Sequence, residues 1–372
     1  MKGLRKRIVA RTTRAVVKVG SSLLVSLEEG LKRHYVRSLA SQLAQLRARG
    51  VEVLLVSSGA IAAGMERLGM RTRPSSISEQ QATAAVGQGL LMHLYEEAFE
   101  DWGLKVAQVL LTHEDVRDRR RYLNARNTLL TLLRFGVVPI INENDSVVID
   151  EIKLGDNDLL AALTAGLTDA QLLVILTDVE GLYEGGPGGR LIKVVERIED
   201  DLEASVAGTA TQVGTGGMVT KIRAAKLASK IGVYTIVAKG TDARVLEEIW
   251  KGEEIGTLFL PEARPLTGRK KWIGFNVRAK GTLVVDEGAM VAVLQRGKSL
   301  LPSGVKEVLG DFQRGDAVLC RGPDGRDFAK GLVNYSSTEI AAIKGHKTQE
   351  IEAILGYKYA EEVIHRDNLV LL

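Results

Sequence analysis

Short β-branched runs alternate with longer stretches of helical period between about Arg14 and Leu260, and this alternation constrains the fold more than any other feature of the sequence. Such repetition is typical of βαβ units around a mostly parallel sheet. The predicted strands are AVVKV, VEVLLVS, KVAQVLL, VVPIIN, QLLVILTD and VYTIVAKG, and the predicted helices lie near residues 31–49, 78–101, 116–135, 156–168 and 218–231. We therefore predict an α/β fold, a three-layer αβα sandwich in which ligands bind beyond the carboxyl ends of the strands.

The alternation stops at the segment PEARPLTGRKK, residues 261–271, which holds two prolines, a glycine and a basic cluster. Beyond it, closely spaced short strands separated by glycine turns predict a small β-barrel with minor helices. The sequence thus predicts a first domain over residues 1–262, a linker over 263–275 and a second domain over 276–372. The basic start of the chain has too short an apolar run for a signal peptide, and we interpret it as a solvated arm.

Charge and cysteine content exclude several classes of protein. Lys and Arg total 50 against 46 Asp and Glu, so the net charge of +4 is too small to indicate a nucleic-acid-binding protein. The predicted second domain is neutral, with 13 basic and 13 acidic residues. The single cysteine, Cys320, excludes an intramolecular disulfide and a Cys-based zinc site, and we expect a cytoplasmic protein. No stretch approaches the roughly 18 apolar residues of a membrane helix.

Two glycine turns follow predicted strands early in the chain. In VVKVGSS, Lys18 lies in the strand and is followed by Gly20 and Ser21, so that backbone amides are placed to cradle a phosphate while the lysine supplies a charge. In VLLVSSGAIAAG, Ser58 and Gly59 lead into an alanine-rich helix whose N-terminus favours an anion. A lysine that reaches solvent from a strand end and a serine that caps a helix explain the same residues structurally.

Two dense polar groups come after the predicted strand VVPIIN. The first comprises Asn142, Glu143, Asn144 and Asp145, and the second comprises Asp156, Asn157 and Asp158. Each of these residues taken alone commonly caps a helix or a turn. Because capping needs only one residue per helix, the two groups together predict a pocket for a small zwitterion, with carboxylates for its ammonium and amides for its carboxylate.

A fourth pattern is typical of a nucleotide-phosphate site. The strand QLLVILTD ends in Thr177 and Asp178, and a glycine-rich loop further along enters a helix with Lys221 in its first turn. The loop is not a Walker A motif, because the lysine follows Thr220 and does not precede a Ser or Thr.

The histidines do not indicate an imidazole base or a histidine metal site. We interpret all five as surface or capping residues, namely His34, His93, His113, His346 and His365. No residue is assigned as a metal ligand.

The first part of the chain resembles the amino-acid kinase family through seven motifs that occur in this order: KVGSS, SSGAIAAG, LNARNTL, INENDSV, KLGDNDLLAA, LLTDVEGLY and GTGGMVTK. The tail resembles a PUA domain through GTLVVDEGAMVAVLQRGKSLLPSGV, GLVNYSS and LGY. Within that family the set is similar to the kinases that phosphorylate the γ-carboxylate of L-glutamate in proline biosynthesis. The resemblance implies L-glutamate and ATP with Mg²⁺ as substrates, and no prosthetic group. It also implies inhibition by proline, a homo-oligomer (dimer or tetramer) and a transient contact with glutamate-5-phosphate reductase.

The resemblance also implies roles for individual residues. Asp158 organises Lys18 and Lys221, and these three are the candidate catalytic residues. Ser58, Asp145 and Asn157 contact glutamate, so that the full set assigned to the substrate is Ser58, Gly59, Asn142, Asp145, Asp156 and Asn157. The resemblance implies that Lys18, Thr177, Asp178 and the loop from Thr215 to Lys221 hold ATP, so that the full set assigned to the nucleotide is Lys18, Gly20, Ser21, Thr177, Asp178, Thr215, Gly216, Gly217, Met218, Val219, Thr220 and Lys221.

Two other functions remain open at this point. One is a kinase of the same fold that acts on N-acetylglutamate, aspartate, carbamate or uridylate, although the PUA-like tail and the pairing of NEND with GDND argue against it. The other is an RNA-binding protein, because PUA domains commonly bind RNA. The neutral second domain argues against RNA, since phosphate contacts need basic residues. We expect neither RNA nor a membrane as a partner.

Overall fold

The structure, a computed structural model, divides into two compact units, one of residues 1–116 and 120–265 and the other of residues 117–119 and 266–372. Each unit has a hydrophobic core of its own. The described residues are 2–26, 30–112, 115–116, 118–147, 157–186, 188–198, 217–262, 270, 273–274 and 278–372. Most of the predicted linker over 263–275 lies outside them, and the domain boundaries stay predictions.

A sheet of eight strands forms the centre of the first unit. Its strands are β1 (Arg14–Val19), β4 (Glu52–Ser57), β5 (Val106–Leu111), β6 (Val138–Glu143), β7 (Leu172–Thr177), β8 (Val194–Val195), β9 (Tyr234–Lys239) and β10 (Thr257–Phe259), while β2 (Val25–Ser26) and β3 (Gly30–Leu31) form a separate hairpin. The strand order is β5-β6-β4-β1-β7-β9-β10-β8, and all pairs are parallel except β9 with β10.

Helices connect these strands. They are α1 (Lys2–Arg11), α2 (Ser21–Leu24), α3 (Arg33–Ala48), α4 (Ala60–Leu68), α5 (Ile77–Glu100), α6 (Arg119–Arg134), α7 (Asn157–Thr168), α8 (Met218–Lys230) and α9 (Val245–Trp250). The helix α5 begins with a capping box, in which Ser76 and Glu79 satisfy each other's backbone N–H groups.

Side chains of the central strands alternate between two buried faces. Ala15, Val17 and Val19 of β1 belong to a core cluster that also includes residues of α3, α5 and α9. Val16 and Lys18 point to the opposite face, where α7 packs on β1 and α8 packs on α7. Helices therefore cover both faces of the sheet, and the predicted three-layer α/β architecture is confirmed.

The second unit contains a five-stranded sheet with short helices. Its elements are β11 (Gly281–Val285), α10 (Glu287–Arg296), β12 (Val305–Gly310), β13 (Ala317–Arg321), β14 (Asp327–Leu332), α11 (Ser337–Ile343), α12 (Ile351–Leu355) and β15 (Leu369–Leu371). The strand order is β12-β11-β13-β14-β15, and only the β11–β13 pair is parallel. Cys320 of β13 is fully buried in the core of this unit.

The predicted solvated arm at the start of the chain is wrong, because residues 2–11 form α1 and pack on the first unit. Ile8 and Val9 join its core, and the Arg5 guanidinium donates hydrogen bonds to the backbone carbonyls of Lys193 at 2.9 Å and Gly256 at 3.0 Å. Buried carbonyl acceptors for an arginine are a tertiary feature that the basic sequence of this segment does not reveal. In the part of the chain that the structure describes, no helix has the length and apolar character needed to span a membrane.

Candidate active site

The carboxyl ends of β1, β4, β6 and β7 lie at one edge of the parallel sheet. Lys18 of β1 pairs with Val56 of β4 and Ile175 of β7, so it lies one residue before the end of a central strand. The residues that follow these strands include most of the predicted site residues. Parallel pairing brings them to the same edge although they are far apart in sequence.

A buried carboxylate lies between two lysine ammonium groups at this edge. Asp158 Oδ1 is 2.5 Å from Lys18 Nζ, and Asp158 Oδ2 is 3.1 Å from Lys221 Nζ. The exposed fractions are 0% for Asp158, 4% for Lys18 and 5% for Lys221. Thr220 adds a hydroxyl that donates to Asp158 Oδ2 at 3.1 Å. Three elements, β1, α7 and α8, thus contribute to one charged cluster.

The fold explains how these charges meet. Lys18 projects to the face of the sheet that α7 and α8 cover, and Asp158 lies in the first turn of α7. The helix N-terminus favours a negative charge there, and the two ammonium groups favour it further. Two ammonium groups therefore share one carboxylate in a buried environment. Ammonium groups oriented in this way attract an anion such as a phosphate.

A second cluster lies beside the first, because Asn157 immediately precedes Asp158. Asn157 Nδ2 donates to Ser58 Oγ at 2.8 Å and to Asn142 Oδ1 at 3.0 Å. It also lies 3.3 Å from the backbone carbonyl of Ser57 at the end of β4. The structure therefore brings together three residues that the sequence assigned to the substrate.

The remaining predicted substrate residues lie nearby in the chain. Gly59 is the N-cap of α4, with a φ of 107° that favours glycine. Asp145 lies in the turn directly after β6 and is partly buried. Asp156 lies outside the described residues, as do Thr215 and Gly216 of the predicted nucleotide loop.

The described residues predicted to bind nucleotide lie at the ends of β1 and β7 and at the starts of α2 and α8. Gly20 caps the short helix α2, which begins at Ser21, and its N–H donates to Leu176 O at the end of β7. Gly217 caps α8, the helix of Met218, Val219 and Lys221. Thr177 ends β7 and donates through Oγ1 to Asp178, which is exposed.

Three polar contacts in this region were not predicted from sequence. Gln88 of α5 accepts a hydrogen bond from Asn142, and Tyr95 of the same helix hydrogen-bonds Ser57 Oγ at 2.8 Å. Burial raises the pKa of the Tyr95 phenol, which keeps it a neutral donor. Thr220 was assigned to nucleotide alone, yet it bonds Asp158. No motif indicates Gln88 or Tyr95, because both lie inside a helix remote in sequence.

The donor set of the charged cluster does not fit a metal ion held by the protein. Its single carboxylate already contacts two cations, and a divalent ion would be repelled by them. Among the described residues there is no group of three His, Cys, Asp or Glu side chains placed to hold a metal.

Comparison with known proteins identifies both parts of the chain. The amino acid kinase family matches residues 13–239, and the PUA domain family matches residues 281–355. A glutamate 5-kinase of Geobacter sulfurreducens is 53% identical over 99% of this chain and 100% of its own length. One from Thermoanaerobacter sp. strain X514 is 52% identical over 96% of this chain and 98% of its own length.

The fold also occurs among solved structures. The structure of a Giardia carbamate kinase aligns with 68% of this chain and 100% of its own, with a TM-score of 0.50. At 17% identity this similarity indicates a shared fold and no more.

Proposed function

We propose, on the premise that the chain belongs to the amino acid kinase family and within it to the glutamate 5-kinases, that it transfers the γ-phosphoryl group of ATP to the γ-carboxylate of L-glutamate. The products are ADP and L-glutamyl 5-phosphate, and the reaction is the first step of proline biosynthesis. The observation that carries the proposal is the buried Lys18–Asp158–Lys221 cluster next to the Ser58–Asn142–Asn157 cluster.

The reaction needs no general base. A γ-carboxylate with a pKa of about 4.3 is already ionised at neutral pH, so an oxygen of the substrate attacks the γ-phosphorus directly. The bond between phosphorus and the β,γ-bridging oxygen of ATP breaks, and ADP leaves with that oxygen and its electron pair. No proton has to be removed from the nucleophile, which agrees with a cluster built of lysines and an aspartate.

The two lysines are then the groups that act on the transferring phosphoryl group. Each ammonium contacts one oxygen of Asp158, which orients the two lysines. Charge spread over the phosphoryl oxygens in the transition state is stabilised by such pre-oriented donors. Asp158 acts through the lysines and is a positioning residue in this scheme.

MgATP is the second substrate. The N-terminus of α8 at Gly217 and the turn at Gly20 offer backbone N–H groups to phosphates. Thr177 ends β7 and Asp178 follows it at the same edge of the sheet. Since the cluster does not fit a protein-bound metal, the Mg²⁺ is held by ATP oxygens in this proposal.

A substrate panel tests the proposal. The purified protein is incubated with MgATP, hydroxylamine and, separately, L-glutamate, L-aspartate, N-acetylglutamate or UMP, and both hydroxamate and ADP are measured. Hydroxamate that depends on L-glutamate, with matching ADP, is the expected result. ADP released only with UMP, or with none of the four, would contradict the assignment of the pocket.

Three further properties follow from family membership and stay proposals. They are inhibition by proline, assembly into a homo-oligomer, and delivery of the acyl phosphate to glutamate-5-phosphate reductase. The chemistry supports the last of these, because an acyl phosphate hydrolyses readily and benefits from rapid use.

A further inference from the structure

A buried glutamine on α5 contacts the substrate cluster. Gln88 has 8% of its surface exposed, and its Oε1 accepts a hydrogen bond from Asn142 Nδ2 at 2.9 Å. The neighbouring Gly87 lies at the close crossing of α4 and α5, where an added Cβ would be 1.9 Å from Ala60 O. The start of α4, where Gly59 and Ala60 follow Ser58, is therefore close to Gln88.

The orientation of the Asn142 carboxamide is fixed by its neighbours. Its Oδ1 accepts from the backbone N–H of Glu143 at 2.9 Å and from Asn157 Nδ2 at 3.0 Å. A backbone N–H only donates, so the oxygen of Asn142 faces Glu143 and its nitrogen faces Gln88. The acceptor at Gln88 completes this arrangement.

The orientation of Asn142 in turn sets that of Asn157. Because Asn157 Nδ2 donates to Asn142 Oδ1 and to Ser58 Oγ, the carboxamide oxygen of Asn157 is turned away from both. Among the described residues, Asn157 Oδ1 is buried and accepts no hydrogen bond. A buried acceptor beside the proposed substrate pocket matches a ligand that brings a donor, such as an ammonium group.

Gln88 is a costly residue in purely structural terms. Its Nε2 is buried and donates no hydrogen bond within the described part of the chain. An unpaired buried donor is unfavourable, and an apolar side chain of similar length would fill the same space without that cost. An apolar side chain, however, could not accept the hydrogen bond that Asn142 donates to Gln88.

We propose that Gln88 is a positioning residue for substrate specificity, which through Asn142 holds Asn157 Oδ1 toward the α-ammonium group of the amino-acid substrate. The inference rests on the proposed function and extends it, since it predicts preference for a dicarboxylate with a free α-ammonium group. A dicarboxylate without that group, such as glutarate, would make no use of the Asn157 oxygen.

The test compares the KM for L-glutamate with the inhibition constant of glutarate against L-glutamate, in the full chain at saturating MgATP. Gln88→Met should raise the KM for L-glutamate about tenfold, the effect of weakening one hydrogen bond to a charged group. The inhibition constant of glutarate should stay within about twofold of the wild-type value, and kcat should change less than about threefold. The ratio of the KM for L-glutamate to the inhibition constant of glutarate should change equally in Gln88→Leu, which provides a second variant if Gln88→Met folds poorly.

Two controls separate positioning from packing. Gln42 of α3 is 7% exposed, and its Oε1 accepts from Leu246 N at 2.9 Å, so Gln42→Met is the same change at equal burial away from the substrate cluster. It should leave the ratio of the two constants unchanged. Gln88→Glu keeps an oxygen acceptor for Asn142 and should keep the KM for L-glutamate closer to wild type than Gln88→Met does.

The outcomes are distinguishable. An active wild type in which Gln88→Met and Gln88→Leu leave the ratio unchanged, or weaken L-glutamate and glutarate equally, would overturn the inference alone. A wild type that forms no hydroxamate with L-glutamate would overturn the proposed function, and the inference with it.

Discussion

At the scale of single residues, the charged cluster is stable only when all of its members are present. These members are Lys18, Lys221 and Asp158. Each lysine taken alone would be a nearly buried cation, and taking such a charge out of water is costly unless an opposite charge compensates it. One carboxylate compensates both lysines, with an oxygen for each.

Removal of either lysine should mainly slow the chemical step. We expect Lys18→Ala and Lys221→Ala each to lower kcat by on the order of 10², by analogy with the loss of one transition-state donor. Steady-state hydroxamate formation measures the effect. Lys230→Ala is the control, because Lys230 lies nine residues further along α8, about 13 Å from Lys221, and should retain wild-type turnover. Near-normal kcat in both cluster variants would remove the lysines from the mechanism.

Removal of the shared carboxylate should destabilise the fold as well. Asp158→Asn removes the buried carboxylate that contacts both ammonium groups, and we expect the free energy of unfolding to fall by about 3–5 kcal/mol. Urea denaturation measures it. The matched control is Asp169→Asn, which weakens the 2.7 Å ion pair with Arg126, where 52% of the Asp169 side chain is exposed. That change should cost about 0–1 kcal/mol, and equal losses in the two variants would contradict the proposed difference in burial.

At the scale of elements, the α4–α5 crossing is set by two glycines. An added Cβ on Gly64 would lie 1.8 Å from Thr83 O, and one on Gly87 would lie 1.9 Å from Ala60 O. Both neighbours are backbone atoms, so the helices must separate before either side chain fits. Ser58 lies just before α4, and Gln88 lies on α5. This crossing therefore also determines how close Gln88 lies to Ser58.

Replacing a glycine by alanine should therefore have opposite effects on stability at the two faces of α5. We expect Gly87→Ala to lower the free energy of unfolding by about 1–3 kcal/mol through overpacking and to raise the KM for L-glutamate. Gly89 lies two residues along the same helix, and its Cβ position has no neighbour within 4 Å. Gly89→Ala should stabilise the protein by about 0.5–1 kcal/mol through helix propensity. Thermal unfolding of the two variants, Gly87→Ala and Gly89→Ala, measures the difference in stability. Destabilisation of similar size in both variants would contradict the packing argument.

The whole molecule consists of two units with separate cores, and its single cysteine lies in the core of the second. Burial raises the pKa of the Cys320 thiol to about 12, so in the folded unit the thiol is both inaccessible and protonated at pH 8. A thiol reagent then reacts only when this unit opens. Cys320 is a native reporter for the second unit.

Substrates should stabilise the first unit alone. At 100 times its Kd, a bound substrate contributes about 2.7 kcal/mol to the unit that binds it. We expect L-glutamate with an unreactive MgATP analogue to slow hydrogen exchange in peptides of the first unit and to leave the rate of Cys320 labelling unchanged. A labelling rate that falls with substrate concentration would show that the opening of the two units is coupled.

Local patterns in the sequence determined the architecture of the first unit. The six predicted strands and five predicted helices all occur within three residues of their expected bounds, because hydrophobic periodicity is a local property. The resemblance to the amino-acid kinase family, and not the periodicity, predicted that Asp158 organises Lys18 and Lys221, and the structure brings these three side chains together.

Only the tertiary structure decided which unremarkable residues join the site and which surface segments are buried. Gln88 of α5 contacts Asn142 of β6, and Arg5 is buried because remote carbonyls accept its hydrogen bonds. These contacts join residues 54 to 251 positions apart in the sequence. A local pattern fixes an element and the face that it buries, but the partner across that face is set by how the elements pack.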